Sequence, residues 1–169
     1  MDRDIQVGAG GVVLRDGAVL LVQMGYGGAR GRWIIPGGYL EPGETGDAGV
    51  AREVAEETGV QAGVERVVAV RSRVNTEQTK TDVYLVFAMR YEGGEPVADG
   101  VEVTDARFWP LAEAMASPVV VPFTQECIRA ALHPGGLAPN PFVSSTTAHG
   151  GWAFFTASAT PADPPVPGS

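Results

Sequence analysis

The chain has 169 residues, 44% of them hydrophobic, which suits one globular domain with a core of its own. A formal net charge of −8 repels polyanions and disfavours broad nucleic-acid binding, yet admits a nucleotide whose charge bound cations offset. The single cysteine, Cys127, excludes an intrachain disulfide and a cysteine-based zinc cluster.

Residues 1–7 lack a hydrophobic signal core, and no apolar run approaches the ~18 residues of a membrane helix, so a cytoplasmic protein without membrane contact is expected. Gln6–Leu14 and Ala18–Met24 read as strands joined by a hairpin at Arg15-Asp16-Gly17. A glycine-rich loop, Gly25–Gly31, follows. Its Tyr26 can stack on a base, and Arg30 or the nearby Arg32 can meet a phosphate. Ile34 and Ile35 read as a short buried strand and Pro36-Gly37-Gly38 as a sharp turn, where glycine lets backbone groups approach a ligand closely. A second turn at Glu41-Pro42-Gly43 sets Glu44 just ahead of a helix over 46–58. Thr45 is its N-cap, Asp47 complements its dipole and Gly59 stops it.

Further on, Val64–Val74 is a strand and Asn75–Lys80 a polar loop. Thr81–Tyr91 alternates into a strong strand, Glu92–Gly100 is rich in turn residues, and Ala106–Trp109 is a short strand. Leu111–Ala116 and Pro122–Leu132 read as helices, with Cys127 buried on the second. From Pro134 the composition turns to Pro, Gly, Ser, Thr and Ala. The expected organisation is therefore a domain over 1–133 and an extension over 134–169. In that extension Gly151–Phe155 is apolar enough to pack back on the domain, and Thr160–Ser169 reads as disordered. His133 and His149 lie away from the acidic helix and are read as surface or structural residues.

The chemistry concentrates on the helix over 46–58. At about 100° per residue, Glu53, Glu56 and Glu57 share an arc roughly 100° wide, with Gly49 leaving it open. Val50, Val54 and their neighbours form the opposite, core-facing arc. Like charges at these spacings weaken a helix by ~0.2–0.5 kcal/mol per pair, a penalty that a bound cation removes. Oxygen-only ligands suit Mg²⁺ or Mn²⁺. Glu44 and Arg52 can pair and fasten the loop to the helix, because the guanidinium fork matches a carboxylate.

Gly38, Glu44, Arg52-Glu53-Val54, Glu56-Glu57 and Gly59-Val60, preceded by Trp33-Ile34-Ile35-Pro36-Gly37-Gly38, resemble the box of the Nudix hydrolases at every position. The likeness extends over residues 5–131. It implies an α/β fold, the Nudix-type α/β/α sandwich with a central mixed β-sheet. It also implies a metal-dependent hydrolase of a diphosphate bond in a nucleoside diphosphate linked to another moiety. By the same likeness Glu53, Glu56, Glu57 and the Gly37 carbonyl hold Mg²⁺ or Mn²⁺, Glu44 and Arg52 keep the loop–helix geometry, and the base is Glu53, Glu56 or a later acid. Glu102 is the preferred later acid, with Asp105 ordering the start of its strand. Arg71, Arg73 and Lys80 are candidates for substrate phosphates. Asn75, Thr76 and Gln78 stand where relatives carry a proline or tyrosine marking particular substrates, so modified nucleoside triphosphates, nucleotide sugars and ADP-ribose stay open. The competing reading is a nucleotide-binding sensor without turnover. The expected partner is a nucleotide-derived small molecule, and the expected state is a monomer or homodimer.

Overall fold

The computed structural model describes residues 5–75, 80–139 and 155–157. The strands are β1 (Ile5–Arg15), β2 (Ala18–Met24), β3 (Trp33–Ile34), β4 (Gly37–Tyr39), β5 (Gln61–Asn75), β6 (Lys80–Gly93), β7 (Val103–Pro110), β8 (Leu137–Pro139) and β9 (Phe155–Ala157). The helices are α1 (Gly46–Thr58), α2 (Leu111–Ala116) and α3 (Pro122–Leu132).

β1 is the hub of a mixed sheet. Along one edge it runs parallel to β6, from Ile5 opposite Thr81 to Leu14 opposite Arg90. Its other edge is shared: β4 pairs with its N-terminal half and β2 with its end. β5 continues the sheet beyond β6, while β3 and β7 flank β2.

Two-residue alternation sorts the apolar side chains between two cores. Ala9, Val13, Leu20, Phe87 and Met89 pack with Val50 and Val54 of α1. Val12, Val19, Leu21, Val86 and Ala88 pack on the other face with Cys127, Ile128 and Ala131 of α3. Helices therefore cover both faces of the sheet, as the sandwich requires. Val50 and Val54 are fully buried, each contributing about 1.5–3 kcal/mol by removal from water. Gly11 lets α1 lie close, since a Cβ there would come within 3.1 Å of Val54 Cγ2 and 3.3 Å of Val50 Cγ2.

Helix α1 spans the expected residues, and Gly59 ends it in the left-handed conformation with φ of 70°. Thr45 stands at the N-cap in extended backbone, but its side chain makes no capping hydrogen bond. The expected turn at Pro36–Gly38 is only half a turn. Gly37 and Gly38 belong to β4, opposite Gly10 and Ala9 of β1, because that edge of β1 is left unpaired by β2. β5, β6 and β7 are all longer than their apolar alternation indicates. Backbone pairing continues through Gln61–Gly63, Tyr91–Gly93 and Val103–Asp105, where side chains no longer alternate. Both C-terminal helices have the expected bounds.

Arg66 of β5 fastens the end of α3, donating to the carbonyls of Ala131 at 2.6 Å, His133 at 3.1 Å and Gly135 at 3.1 Å. Phe155 of β9 sets its ring edge-on to Phe87, with centroids 5.6 Å apart. The rest of the apolar Gly151–Phe155 segment, His149, residues 76–79 and Thr160–Ser169 lie outside the described residues. Arg66→Ala should lower stability by about 1–3 kcal/mol, since three carbonyls at and just beyond the end of α3 lose one shared charged donor. Urea unfolding at neutral pH measures this, and an unchanged midpoint contradicts it.

Candidate active site

The guanidinium of Arg52 organises the acidic helix. It grips Glu44 with two parallel bonds, Nε to Oε1 at 2.7 Å and Nη2 to Oε2 at 2.9 Å. Its Nη1 donates to Glu53 Oε1 and to Glu56 Oε2, each at 3.0 Å. Nη2 also reaches the Tyr39 carbonyl at 3.3 Å, which ties the end of β4 to α1. The Glu41 N–H donates to Glu44 at 3.0 Å and closes the second turn. Bonding from Arg52, with help from that amide, lowers the Glu44 carboxyl to about 2. Arg52 is in turn raised, chiefly by Glu44.

Glu57 points inward and is only 5% exposed. Its Oε2 accepts the Gly37 N–H at 2.9 Å. Burial pushes its carboxyl up to about 8. The Gly37 amide opposes the rise, while Glu53, Glu102 and Asp99 add to it. Burial also raises Glu53, against the pull of Arg52. Glu53 rests directly over β4, where a Cβ on Gly38 would lie 2.6–2.7 Å from its carboxylate atoms. Glu56 is turned outward, with its side chain 60% exposed. Gly49 does not serve to keep the acidic arc open. It is buried, and a Cβ there would meet Leu40 and come within 2.9 Å of Glu44 Oε2, so it admits the loop that carries Glu44.

Among the described residues, no three carboxylates are gathered on one point. The reason is visible in the contacts: Glu53 and Glu56 are turned to Arg52, and Glu57 is turned to the Gly37 amide. The donor set still fits a hard divalent cation, because it offers oxygen alone and carries a buried carboxyl that a nearby positive charge would help to ionise.

These groups line a cleft of about 860 Å³. Gly37, Gly38, Tyr39, Glu53, Glu56, Glu57 and Glu102 form its acidic part, and Arg71, Arg73, Asp82, Tyr84 and Phe123 contribute elsewhere. Tyr26 also lines it, with its phenol pushed up by burial and then by Glu102 and Glu57. Glu44, which Arg52 holds, stands behind the wall.

Arg30 and Arg32 do not line the cleft. Arg30 is exposed, its amide closing a short 3₁₀ turn over Gly27–Ala29, and Arg32 reaches the Pro118 carbonyl at 3.4 Å. Asp105 pairs with Arg107 at 2.7 Å on β7, outside the cleft.

Two acids escaped the sequence reading. Asp99 Oδ1 accepts the N–H groups of Val101, Glu102 and Val103 at 2.8–3.1 Å and so sets the loop bearing Glu102; the Asp99-Gly100 turn pair was its available signal. Asp82, 5% exposed, holds Arg71 and Arg73. Its sequence neighbourhood is an ordinary strand start, with nothing to mark it.

The NUDIX domain family model matches residues 4–130. The chain belongs to the NUDIX domain family. It is 35% identical over 118 residues to Nudix hydrolase 8 of Arabidopsis thaliana, covering 68% of this chain and 32% of that protein. It is 31% identical over 105 residues to the ADP-ribose pyrophosphatase of Methanocaldococcus jannaschii, covering 62% of each. The chain thus spans less than two thirds of the length of either relative. The crystal structure of a MutT NUDIX hydrolase from Burkholderia pseudomallei shares the fold, with a TM-score of 0.66 at 22% identity over 75% of this chain and 97% of that one.

The Glu57 geometry carries a pH signature. Its folded-state value of about 8 exceeds the ordinary 4.5, so the folded protein holds that proton more tightly than the unfolded chain. In the absence of divalent ions, stability should fall as pH rises from about 4.5 towards 8, and Glu57→Gln should remove that part of the fall. The gap between the melting temperatures of Glu57→Gln and wild type should widen with pH in EDTA. A gap that stays constant counts against the buried carboxyl.

Proposed function

We propose that the cleft hydrolyses a diphosphate bond in a nucleoside diphosphate linked to another moiety, with Mg²⁺ or Mn²⁺ as its cation. The observation that carries this reading is the set of oxygen donors around β4 and α1. Glu53, Glu56 and Glu57 lie on one helix beside the backbone of Gly37 and Gly38, organised by one arginine. In this reading Glu53, Glu56, Glu57 and the Gly37 carbonyl hold the cation. When bound, the cation neutralises charge on the diphosphate oxygens and lowers the pKa of a nearby water.

The protein's own groups do the rest. Arg52 and Glu44 fix the loop on the helix, so the backbone that carries the carboxylates is in place and only their side chains turn from Arg52 and Gly37 to the cation. Glu53 or Glu56, or Glu102 on the facing loop, takes the proton from the attacking water. Glu102 is held for that task by the turn that Asp99 orders. Tyr26 offers a ring for the base, and Arg71 and Arg73 offer guanidinia for anionic oxygens. The name of the Methanocaldococcus jannaschii relative keeps ADP-ribose among the open substrates, beside modified nucleoside triphosphates and nucleotide sugars. No described helix is long and apolar enough to cross a membrane.

The test is a panel of ADP-ribose, nucleotide sugars and modified nucleoside triphosphates with Mg²⁺ or Mn²⁺, read as released nucleotide and phosphate or pyrophosphate. On a compound that turns over, Glu53→Gln, Glu56→Gln and Glu57→Gln should each lower kcat by about 10²-fold or more while the melting curve persists. Binding without turnover across the panel makes the domain a sensor and removes the hydrolase reading. Gly38→Ala should act like Glu53→Gln, because its Cβ would occupy the place of the Glu53 carboxylate. Wild-type kcat in that variant contradicts the placement.

A further inference from the structure

Resting on the diphosphate reading of the cleft, we propose that Arg71, Arg73 and Asp82 form a second oxyanion subsite. It takes a phosphate or carboxylate carried by the moiety beyond the diphosphate.

Asp82 is buried and receives two guanidinia. Arg71 Nη2 donates to both its oxygens at 3.1 Å, and Arg73 Nη2 donates to Oδ2 at 2.9 Å. One arginine would neutralise the carboxylate; two leave a surplus positive charge in a cleft whose other cation, Arg52, is taken up by three glutamates, in a chain of net charge −8. Arg73 is not needed to close the fold, since its side chain stays 59% exposed. Arg71 is fixed from a third side, with its guanidinium carbon 5.0 Å from the Tyr84 ring centroid and 4.9 Å from that of Phe123. Its buried Nε finds no partner among the described residues. A pinned fork of this kind has lost its rotamer freedom before a ligand arrives, which favours capture of a planar or tetrahedral oxyanion.

The register says which part of a substrate lies there. Tyr39, Gly8, Tyr84 and Arg71 sit side by side on β4, β1, β6 and β5. Three strand spacings put the backbone of Arg71 about 14 Å from that of Tyr39, whose carbonyl touches Arg52 beside the glutamates. Arg71 does not stretch across that gap, because Asp82 and the Tyr84 ring hold its guanidinium over β6. With the diphosphate seated at Glu53 and Glu57, the arginines are free for the next group along. The preferred substrates are nucleoside diphosphates whose second moiety bears its own negative charge.

Isothermal titration of the full chain in EDTA, with inorganic phosphate in one arm and glucuronate in the other, tests the subsite apart from catalysis. At least one anion should bind the wild type at millimolar concentration. Arg71→Gln and Arg73→Gln should each weaken that binding about tenfold or more. The arm that responds identifies phosphate or carboxylate as the group recognised. Arg73 is exposed, so Arg73→Gln should keep the wild-type melting curve and its loss of binding cannot be unfolding. No binding in either arm, or equal binding by wild type and Arg73→Gln, overturns the subsite. Failed hydrolysis with this binding intact removes only the catalytic reading.

Discussion

The site depends on the charge of Arg52. Four carboxylates lie on or beside one turn-bounded helix, and without a cation their repulsion would spread them into solvent. Arg52 instead draws Glu44, Glu53 and Glu56 onto a single fork and adds the Tyr39 carbonyl. The same bonds join the loop, the end of β4 and α1, so the arrangement of the carboxylates and the local fold share one anchor. Removing one partner of a largely buried pair costs about 3–5 kcal/mol, a large part of a domain's total stability of about 5–15 kcal/mol. The arrangement also explains the contrasting carboxyls. Glu44, satisfied by Arg52, ionises easily, whereas Glu57, buried beyond the arginine's reach, resists ionisation.

Close approach is the second constraint. Glu53 can lie over β4 only because Gly38 has no side chain, and Gly37 packs against β1 where a Cβ would lie 2.6 Å from Gly10 Cα. Gly49 does the same service for the loop that carries Glu44. These glycines link the core to the chemistry. β1 positions β4, β4 positions the Gly37 amide, and that amide fixes Glu57.

The cleft is polarised as a consequence of strand order. β4 and α1 bring acids to one part of it, and β5 and β6 bring the arginines held by Asp82 to another. Tyr84 spans the space between, lying across Gly8 and Gly10 with its ring close to both.

Residues close in sequence were legible without the fold. The spacing of Glu53, Glu56 and Glu57, the stop at Gly59, the Glu44–Arg52 pair and both C-terminal helices follow from helical periodicity and turn chemistry, which act within a few residues. What required the tertiary structure was every relation carried by strand pairing. Gly37 and Gly38 became a strand because β1 offered them an edge, Arg30 and Arg32 fell outside the cleft, and Asp82 gained its meaning from arginines on a neighbouring strand. Local composition carries no record of which strands will be neighbours, because pairing is decided by the closure of two cores around a common sheet.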